Sequence, residues 1–282
     1  MAVRIITDSA SDISQETAKE WGITVIPLKV RFGEEEFLDG KTLSCEQFYE
    51  KLVETDEIPK TSQINPYEYS ELFEEVKKAG DTAVCITLSA KVSGCYQSAC
   101  IAAEDYEGIV RVVDSAQFCI SEGMLVELAK RYRDQGMNAD EIADRIEKEK
   151  ADVHVISVFD TLEYLKKGGR ISAAAAMAGG ILSIKPVITI ENGEVAVIGK
   201  ARGSKNGNNL LMDFMRSHGG IDFSRPYCIG YTGLSDALLK KYAEDSASVY
   251  REHAEKLHVF RVGATIGTYA GPGAIAAAFF EL

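Results

Sequence analysis

The stretch TAVCITLSAKVSGCYQSA, residues 82–99, predicts one strand, one loop and one helix in succession. The apolar run from Ala83 to Leu88 is typical of a strand covered on both faces, and it stops at Ser89. Small and hydroxyl residues follow, and a helix is predicted to begin near Gly94. In a parallel sheet such a loop lies at the carboxyl edge, which is where folds of this class bind ligands.

The same alternation of strand and helix extends to both sides of this stretch. VRIITD (3–8), IVRVVD (109–114) and VHVISVF (153–159) predict further strands. Gly22 is a stop signal for one intervening helix, and the pair Asn65-Pro66 predicts the start of another. This order predicts an α/β fold with a doubly wound, mostly parallel sheet.

The pattern changes after residue 159. An alanine-rich helix is predicted over Ala173–Ala178, and a hairpin is predicted around the turn Glu191-Asn192-Gly193-Glu194. Hairpins mixed with helices predict an α+β part, so we divide the chain into domains 1–157 and 158–282. Because no linker composition separates them, we expect the two domains to pack together.

Composition excludes several classes of function. The 282 residues carry 43 acidic and 31 basic side chains, a net charge of −12, which argues against nucleic-acid binding. The N-terminus has no apolar signal-peptide core, and no apolar run approaches the ~18 residues of a membrane span, so a cytoplasmic protein is predicted. Six cysteines and four histidines do not cluster at metal-ligand spacings, and no metal site is expected.

Two loops carry hydroxyl groups beside a predicted helix start, where free amide groups suit an anion. In residues 82–99, Ser93 adds a hydroxyl and Gly94 lets a ligand approach the backbone, although Ser93 could equally serve only as a helix cap. In PKTSQINP (59–66), Thr61 and Ser62 lie in an extended loop, for which an ordinary polar connection is the simpler interpretation.

Two further segments are candidates of a different kind. IGTYAGPG (266–273) predicts a tight turn, and its glycine spacing does not match a dinucleotide fingerprint. Arg170 and Arg202 lie near glycines and lysines on an acidic chain, which favours a phosphate or carboxylate partner, with a solvated charge run as the alternative.

Taken together, these pieces resemble the DegV family of bacterial fatty-acid-binding proteins. The motifs that carry the resemblance occur in family order over almost the whole chain, with Cys95 in place of a usual threonine. They are TDSASD (7–12), TSQ (61–63), LSAKVSGCYQSA (88–99), LEYLKKGGRIS (162–172), IKPVITIENGE (184–194) and IGTYAGPGA (266–274).

The resemblance implies a non-enzymatic protein with no cofactor, which holds one long-chain fatty acid such as palmitate in a tunnel between its domains. Thr61 and Ser93 are implied as the carboxylate-binding hydroxyls, with Ser62 and Gly94 nearby. It also implies a fatty-acid kinase as partner, which Arg170 and Arg202 would face. Tyr269 replaces the family histidine; it donates a hydrogen bond but has no positive charge, which bears on the kinase step more than on binding.

Two other functions stay open from the residues alone. A serine hydrolase would need Ser93 near a histidine, and His154 or His258 could be brought there by folding, although no G-x-S-x-G elbow is present. An enzyme that binds a sugar phosphate is the second alternative, because a helix start accepts a phosphate as well as a carboxylate.

Overall fold

The computed structural model describes residues 2–55, 57–171 and 184–282. The predicted alanine-rich helix, Ala173–Ala178, lies outside the described residues. The described strands are β1 (Val3–Asp8), β2 (Thr24–Ile26), β3 (Lys29–Phe32), β4 (Glu35–Leu38), β5 (Lys60–Ser62), β6 (Thr82–Thr87), β7 (Val110–Asp114), β8 (Val153–Val158), β9 (Ile184–Glu191), β10 (Glu194–Arg202), β11 (Tyr227–Tyr231), β12 (His258–Arg261) and β13 (Ile275–Phe280).

Helices connect most of these strands. The described α-helices are α1 (Gln15–Trp21), α2 (Cys45–Glu54), α3 (Pro66–Lys78), α4 (Cys95–Ala103), α5 (Ile120–Asp134), α6 (Ala139–Glu149), α7 (Glu163–Lys167), α8 (Gly203–Ser217), α9 (Ala237–Asp245), α10 (Ala247–Tyr250) and α11 (Ala264–Ala270). In the part of the chain that the structure describes, no helix has both the length and the apolar character that crossing a bilayer requires.

The first sheet is parallel and has the strand order β2-β1-β6-β7. Helices cover both of its faces: Ile5 of β1 belongs to a core with α5 and α6, and Ile6 belongs to a core with α3 and α4. The predicted doubly wound, mostly parallel sheet is therefore confirmed. A small antiparallel sheet, β4-β3-β5, contains residues 60–62, so part of the predicted extended loop 59–66 forms a strand.

The second sheet is mixed, with the order β10-β9-β8-β13-β11-β12. Its strand β8 pairs antiparallel with β13 and β9, so the prediction that residues 153–159 continue the parallel sheet is wrong. A short apolar strand suits either sheet, and its partner β13 lies more than a hundred residues away in sequence. The domain division at residue 157 stays a prediction, and the pairing of β8 favours an earlier boundary.

The two sheets share one hydrophobic core. Helix α5 contacts β1 of the first sheet and β8, β11 and β13 of the second. Buried residues from both sheets, such as Val84 and Phe280, pack with Leu125 of this helix in a single cluster. The two parts of the molecule are therefore packed together, as the lack of a linker predicted.

The β9–β10 hairpin forms as predicted and docks onto the first part of the chain. Asn192 and Gly193 both have positive φ, 52° and 82°, which closes a two-residue turn. The buried Ser89 hydroxyl donates to the Gly193 carbonyl at 2.8 Å. Ser89, where the apolar run of β6 stops, thus anchors the tip of the hairpin.

The predicted tight turn at residues 266–273 is wrong in its first half. Residues up to Ala270 belong to α11, and the turn begins at Gly271, whose φ is 67°. The helix is short, and its first amides bond to carboxylates from distant parts of the chain. The local sequence does not show these distant capping groups. Its glycines and proline are typical of a turn, which is why a turn was predicted.

Candidate functional site

A cavity of about 380 Å³ lies between the two parts of the molecule, within the usual range of small-molecule pockets. It brings six of the seven predicted site residues together: Thr61, Ser62, Ser93, Gly94, Tyr269 and Arg170. The rest of the lining is mostly apolar. These further residues are Leu28, Gln63, Leu88, Val92, Phe118, Phe159, Leu165, Ile188, Val195, Thr265, Ile266 and Ala270.

A second, smaller cavity of about 50 Å³ adjoins the first at its apolar end. The two cavities share five apolar lining residues, so the two spaces are direct neighbours. These are Phe118, Phe159, Ile188, Ile266 and Ala270. The smaller cavity continues past Cys119 to the strands of the mixed sheet, including Val155 and Ile275. The hydroxyl-bearing residues therefore line the larger cavity, and the smaller cavity extends the space on its apolar side.

The polar end is built around Thr61 and Tyr269. Thr61, on β5, pairs in register with Val30 of β3, and its hydroxyl oxygen lies 2.6 Å from that of Tyr269 on α11. The Arg170 guanidinium carbon lies 4.9 Å from the centre of the Tyr269 ring, a cation–π distance. Arg170 also donates to the Gly168 carbonyl at 2.8 Å. An exposed cation thus borders the mouth of the cavity.

Ser93 precedes α4 and lines the same cavity. Its hydroxyl donates to the Cys95 sulfur at 3.3 Å and accepts from the Cys95 amide at 3.3 Å. Burial raises the pKa of the Cys95 thiol to about 12, so this sulfur is neutral at physiological pH. Because the hydroxyl proton can rotate, Ser93 can go on accepting from the Cys95 amide while it turns its proton from the Cys95 sulfur toward an acceptor in the cavity.

Gly94 borders the cavity, but for a different reason from the predicted one. A side chain at this position would overlap the amide group of Gln63, which fills the space beside its Cα. Gln63 in turn donates to the Ser98 hydroxyl at 3.0 Å. The glycine therefore lets Gln63 pack against the start of α4, rather than leaving that space for a ligand.

Arg202 lies apart from the other predicted site residues. Val195 of β10 lines the cavity, and Arg202 is the last residue of the same strand, seven positions further on. At about 3.3 Å per residue the separation along the strand is roughly 23 Å. The structure therefore places Arg170 at the cavity mouth and Arg202 toward the other end of the hairpin.

The polar side chains of the site are mainly hydroxyls. Among the described residues that line the larger cavity, none is histidine, aspartate or glutamate. His154 bonds to Glu281 at 2.9 Å, and His258 lies 3.7 Å from Glu127, so neither is placed to activate Ser93. Over the described ranges, no group of three or more potential ligands could hold a metal ion.

Local sequence does not identify the apolar lining. Ile188 lies on β9, whereas Phe118 lies in the loop before α5 and Leu28 lies between β2 and β3, so the three become neighbours only through tertiary packing. Each resembles an ordinary core residue in its own segment, so no sequence signal marks it as part of a cavity. The hydroxyl residues Thr61 and Ser93 were singled out through the family motifs that contain them, because a hydroxyl beside a helix start is by itself an ordinary cap.

The whole chain is similar to proteins of one family. Residues 2–282 match a family model described as "Uncharacterised protein, DegV family". A DegV domain-containing protein of Caldanaerobacter subterraneus is 37% identical over 282 residues, covering 99% of this chain and 98% of that protein. A DegV domain-containing protein of Deinococcus radiodurans is 30% identical over 290 residues, covering 100% and 99%.

Solved structures show the same fold. A DegV family protein from Thermus thermophilus, described by its fatty-acid binding, superposes with a TM-score of 0.90 at 29% identity, over 100% of both chains. DegV from Bacillus subtilis, described as a fatty acid binding protein, superposes with a TM-score of 0.82 at 27% identity, also over 100% of both chains.

Proposed function

Because the chain belongs to the DegV family, we propose that it binds one long-chain fatty acid, such as palmitate, in this cavity. The observation that carries the proposal is the shape and lining of the space: a pair of hydroxyls at one end and an apolar extension at the other. The Thermus and Bacillus relatives, both described as binding fatty acids, support it.

The head group would lie between Thr61 and Ser93. A carboxylate that loses its water must regain hydrogen bonds, because an unpaired buried charge is very costly. Hydroxyl donors from both sides, with Tyr269 beside Thr61, supply such bonds without a fully buried cation. Ser62 and Gly94 also line the cavity and would lie near the head group in this arrangement.

The tail would supply most of the affinity. About fourteen methylene groups at roughly 0.8 kcal/mol each give ~11 kcal/mol before the costs of association are subtracted. The apolar lining that continues from Phe118 into the smaller cavity is suited to this part of the ligand. The function that follows is lipid transport or fatty-acid metabolism in the cytoplasm.

The alternative functions have less support. A serine hydrolase needs a base beside Ser93, and the cavity lining described above includes none. A sugar phosphate carries many hydroxyl groups, which would lose hydrogen bonds against the largely apolar walls. A fatty acid matches both ends of the space, so we favour it over these two ligands.

Extraction of the purified protein tests the proposal directly. We expect organic solvent to release about one long-chain fatty acid per chain, identified by mass spectrometry, because a tail buried in an apolar cavity dissociates slowly. Delipidated protein should rebind palmitate and gain thermal stability from it. The proposal would be refuted if the purified protein contained no lipid and were stabilised by sugar phosphates but not by palmitate.

We further propose that the bound acid is presented to a fatty-acid kinase. In that reaction a carboxylate oxygen attacks the γ-phosphorus of ATP, an acyl phosphate forms, and ADP leaves. Arg170 supports this step because its guanidinium is exposed at the mouth of the cavity, where the carboxylate would meet a partner. Arg202 would extend the partner surface along the hairpin, roughly 23 Å from Val195 by strand length.

Substitution of the two arginines tests the kinase step. With a fatty-acid kinase, ATP and palmitate-saturated protein, acyl phosphate trapped by hydroxylamine reports the rate. We expect Arg170→Ala to reduce this rate by about tenfold or more, because it removes the cation at the mouth. A parallel loss in Arg202→Ala would indicate a partner surface that spans the hairpin. Full rates in both variants would contradict the assignment of these residues to the partner.

A further inference from the structure

Two carboxylates from the first forty residues cap helix α11. The residue before this helix is Gly263, which has no side chain to serve as a cap. Asp12 accepts a hydrogen bond from the Gly263 amide at 2.8 Å, and Asp39 accepts from the next two amides, those of Ala264 and Thr265, at 3.0 Å each. The first amides of a helix lack partners within it, so these carboxylates supply what the local sequence lacks.

The two carboxylates are buried close together, which is a costly arrangement. Asp12 is 8% exposed and Asp39 is 3% exposed. Burial, and secondarily repulsion from Asp39, raises the pKa of Asp12 well above its usual value. Asp12 also adopts a left-handed backbone with φ of 57°. A side chain on Gly263 would crowd both groups, with contacts of 3.3–3.4 Å. The start of α11 and the two carboxylates therefore pack together with little room for a larger residue at position 263.

The capped helix carries four residues of the cavity. Thr265, Ile266, Tyr269 and Ala270 all line it, and Tyr269 meets Thr61 at 2.6 Å. Thr265 and Tyr269 are four positions apart, which is about one turn or ~6 Å along the axis. A shift at the start of so short a helix is therefore transmitted to the hydroxyl of Tyr269.

We propose that Asp12 and Asp39 are positioning residues for the head-group end of the cavity. They hold the start of α11 against the first part of the chain. The fixed helix in turn keeps the Tyr269 hydroxyl within hydrogen-bonding distance of Thr61. The inference rests on the proposed fatty-acid function. It also gives Asp12, the last residue of the TDSASD segment, a physical role at the site without contact to the ligand.

A double-mutant cycle with palmitate tests this inference. We expect Asp39→Ala to weaken palmitate binding by about tenfold or more, and Asp39→Asn, which keeps an acceptor oxygen, to weaken it less. In a Tyr269→Phe background the same Asp39→Ala change should cost less than about threefold, because the hydroxyl that it positions is already absent. Equal losses of affinity in both backgrounds would overturn the proposal, because they would show that Asp39 stabilises the fold without positioning Tyr269.

Two controls separate positioning from general stability. Leu239→Ala removes a buried side chain from the core around β11 and α9, away from the cavity, and should lower stability with palmitate affinity unchanged. If Asp39→Ala does not fold, Asp39→Asn is used instead. In that variant we expect faster hydrogen exchange at the amides of Ala264 and Thr265, together with weaker palmitate binding. Unchanged palmitate binding would refute the proposal. Failure of the wild-type protein to bind palmitate would instead refute the proposed function.

Discussion

Replacement of Ile266 by tryptophan should reduce palmitate affinity by roughly 200-fold while octanoate binding changes little. Ile266 lines both cavities at the point where they adjoin, and part of its side chain faces that space. An indole there would keep the tail out of the inner cavity. Excluding about four methylene groups at ~0.8 kcal/mol each gives ~3 kcal/mol, which corresponds to this loss. Titration calorimetry with acids of increasing length measures it.

The matched control is the same substitution at Ile101. This residue lies on α4, is 46% exposed and does not line either cavity, so Ile101→Trp adds an indole without filling the proposed tunnel. We expect unchanged affinity for acids of every length in this variant. Palmitate affinity that survives in Ile266→Trp would show that the tail does not enter the inner cavity.

Loss of both proposed head-group hydroxyls is the second large effect. We expect the double variant Thr61→Ala/Ser93→Ala to bind palmitate at least about thirtyfold more weakly, because each unpaired carboxylate oxygen costs ~1–3 kcal/mol. The variant should also lose its preference for palmitate over hexadecanol, since the tail contacts are the same for both. Competition between these two ligands separates recognition of the head from burial of the tail.

Two comparisons control this experiment. Thr61→Ser keeps the hydroxyl and should retain most of the affinity. Ser246→Ala removes a buried hydroxyl that donates to the Tyr242 carbonyl at 2.6 Å, in the helical region beyond β11, and should leave palmitate binding unchanged. If the double variant kept its preference for palmitate, Thr61 and Ser93 would lose their proposed role.

Elements with local signals were predictable almost to the residue. Asn65 forms a capping box with Glu68, and Pro66 begins α3, as the sequence indicated. The Asn192-Gly193 turn fixes the register of its hairpin through its own positive φ angles. In each case the stabilising interaction joins residues within a few positions of one another, so both partners are visible in a short stretch of sequence.

Elements that depend on distant partners were not predictable in the same way. Helix α11 looks like a turn because its capping groups, Asp12 and Asp39, come from more than two hundred residues away. Strand β8 resembles its parallel predecessors because the pairing with β13 leaves no mark on its own composition. The proposed hydroxyls were found through motifs, whereas the cavity walls arise from tertiary packing that no local pattern encodes.

The place of β13 in the mixed sheet has a consequence for biosynthesis. This strand lies between β8 and β11 and pairs with both, although it is made after every other described strand. During synthesis, β8 and β11 therefore lack the strand that pairs with both of them until residues 275–280 have left the ribosome. The inner cavity, whose wall includes Ile275 and Ala276, cannot close before then. A newly made chain must therefore have residues 275–280 outside the ribosome before it can enclose a lipid.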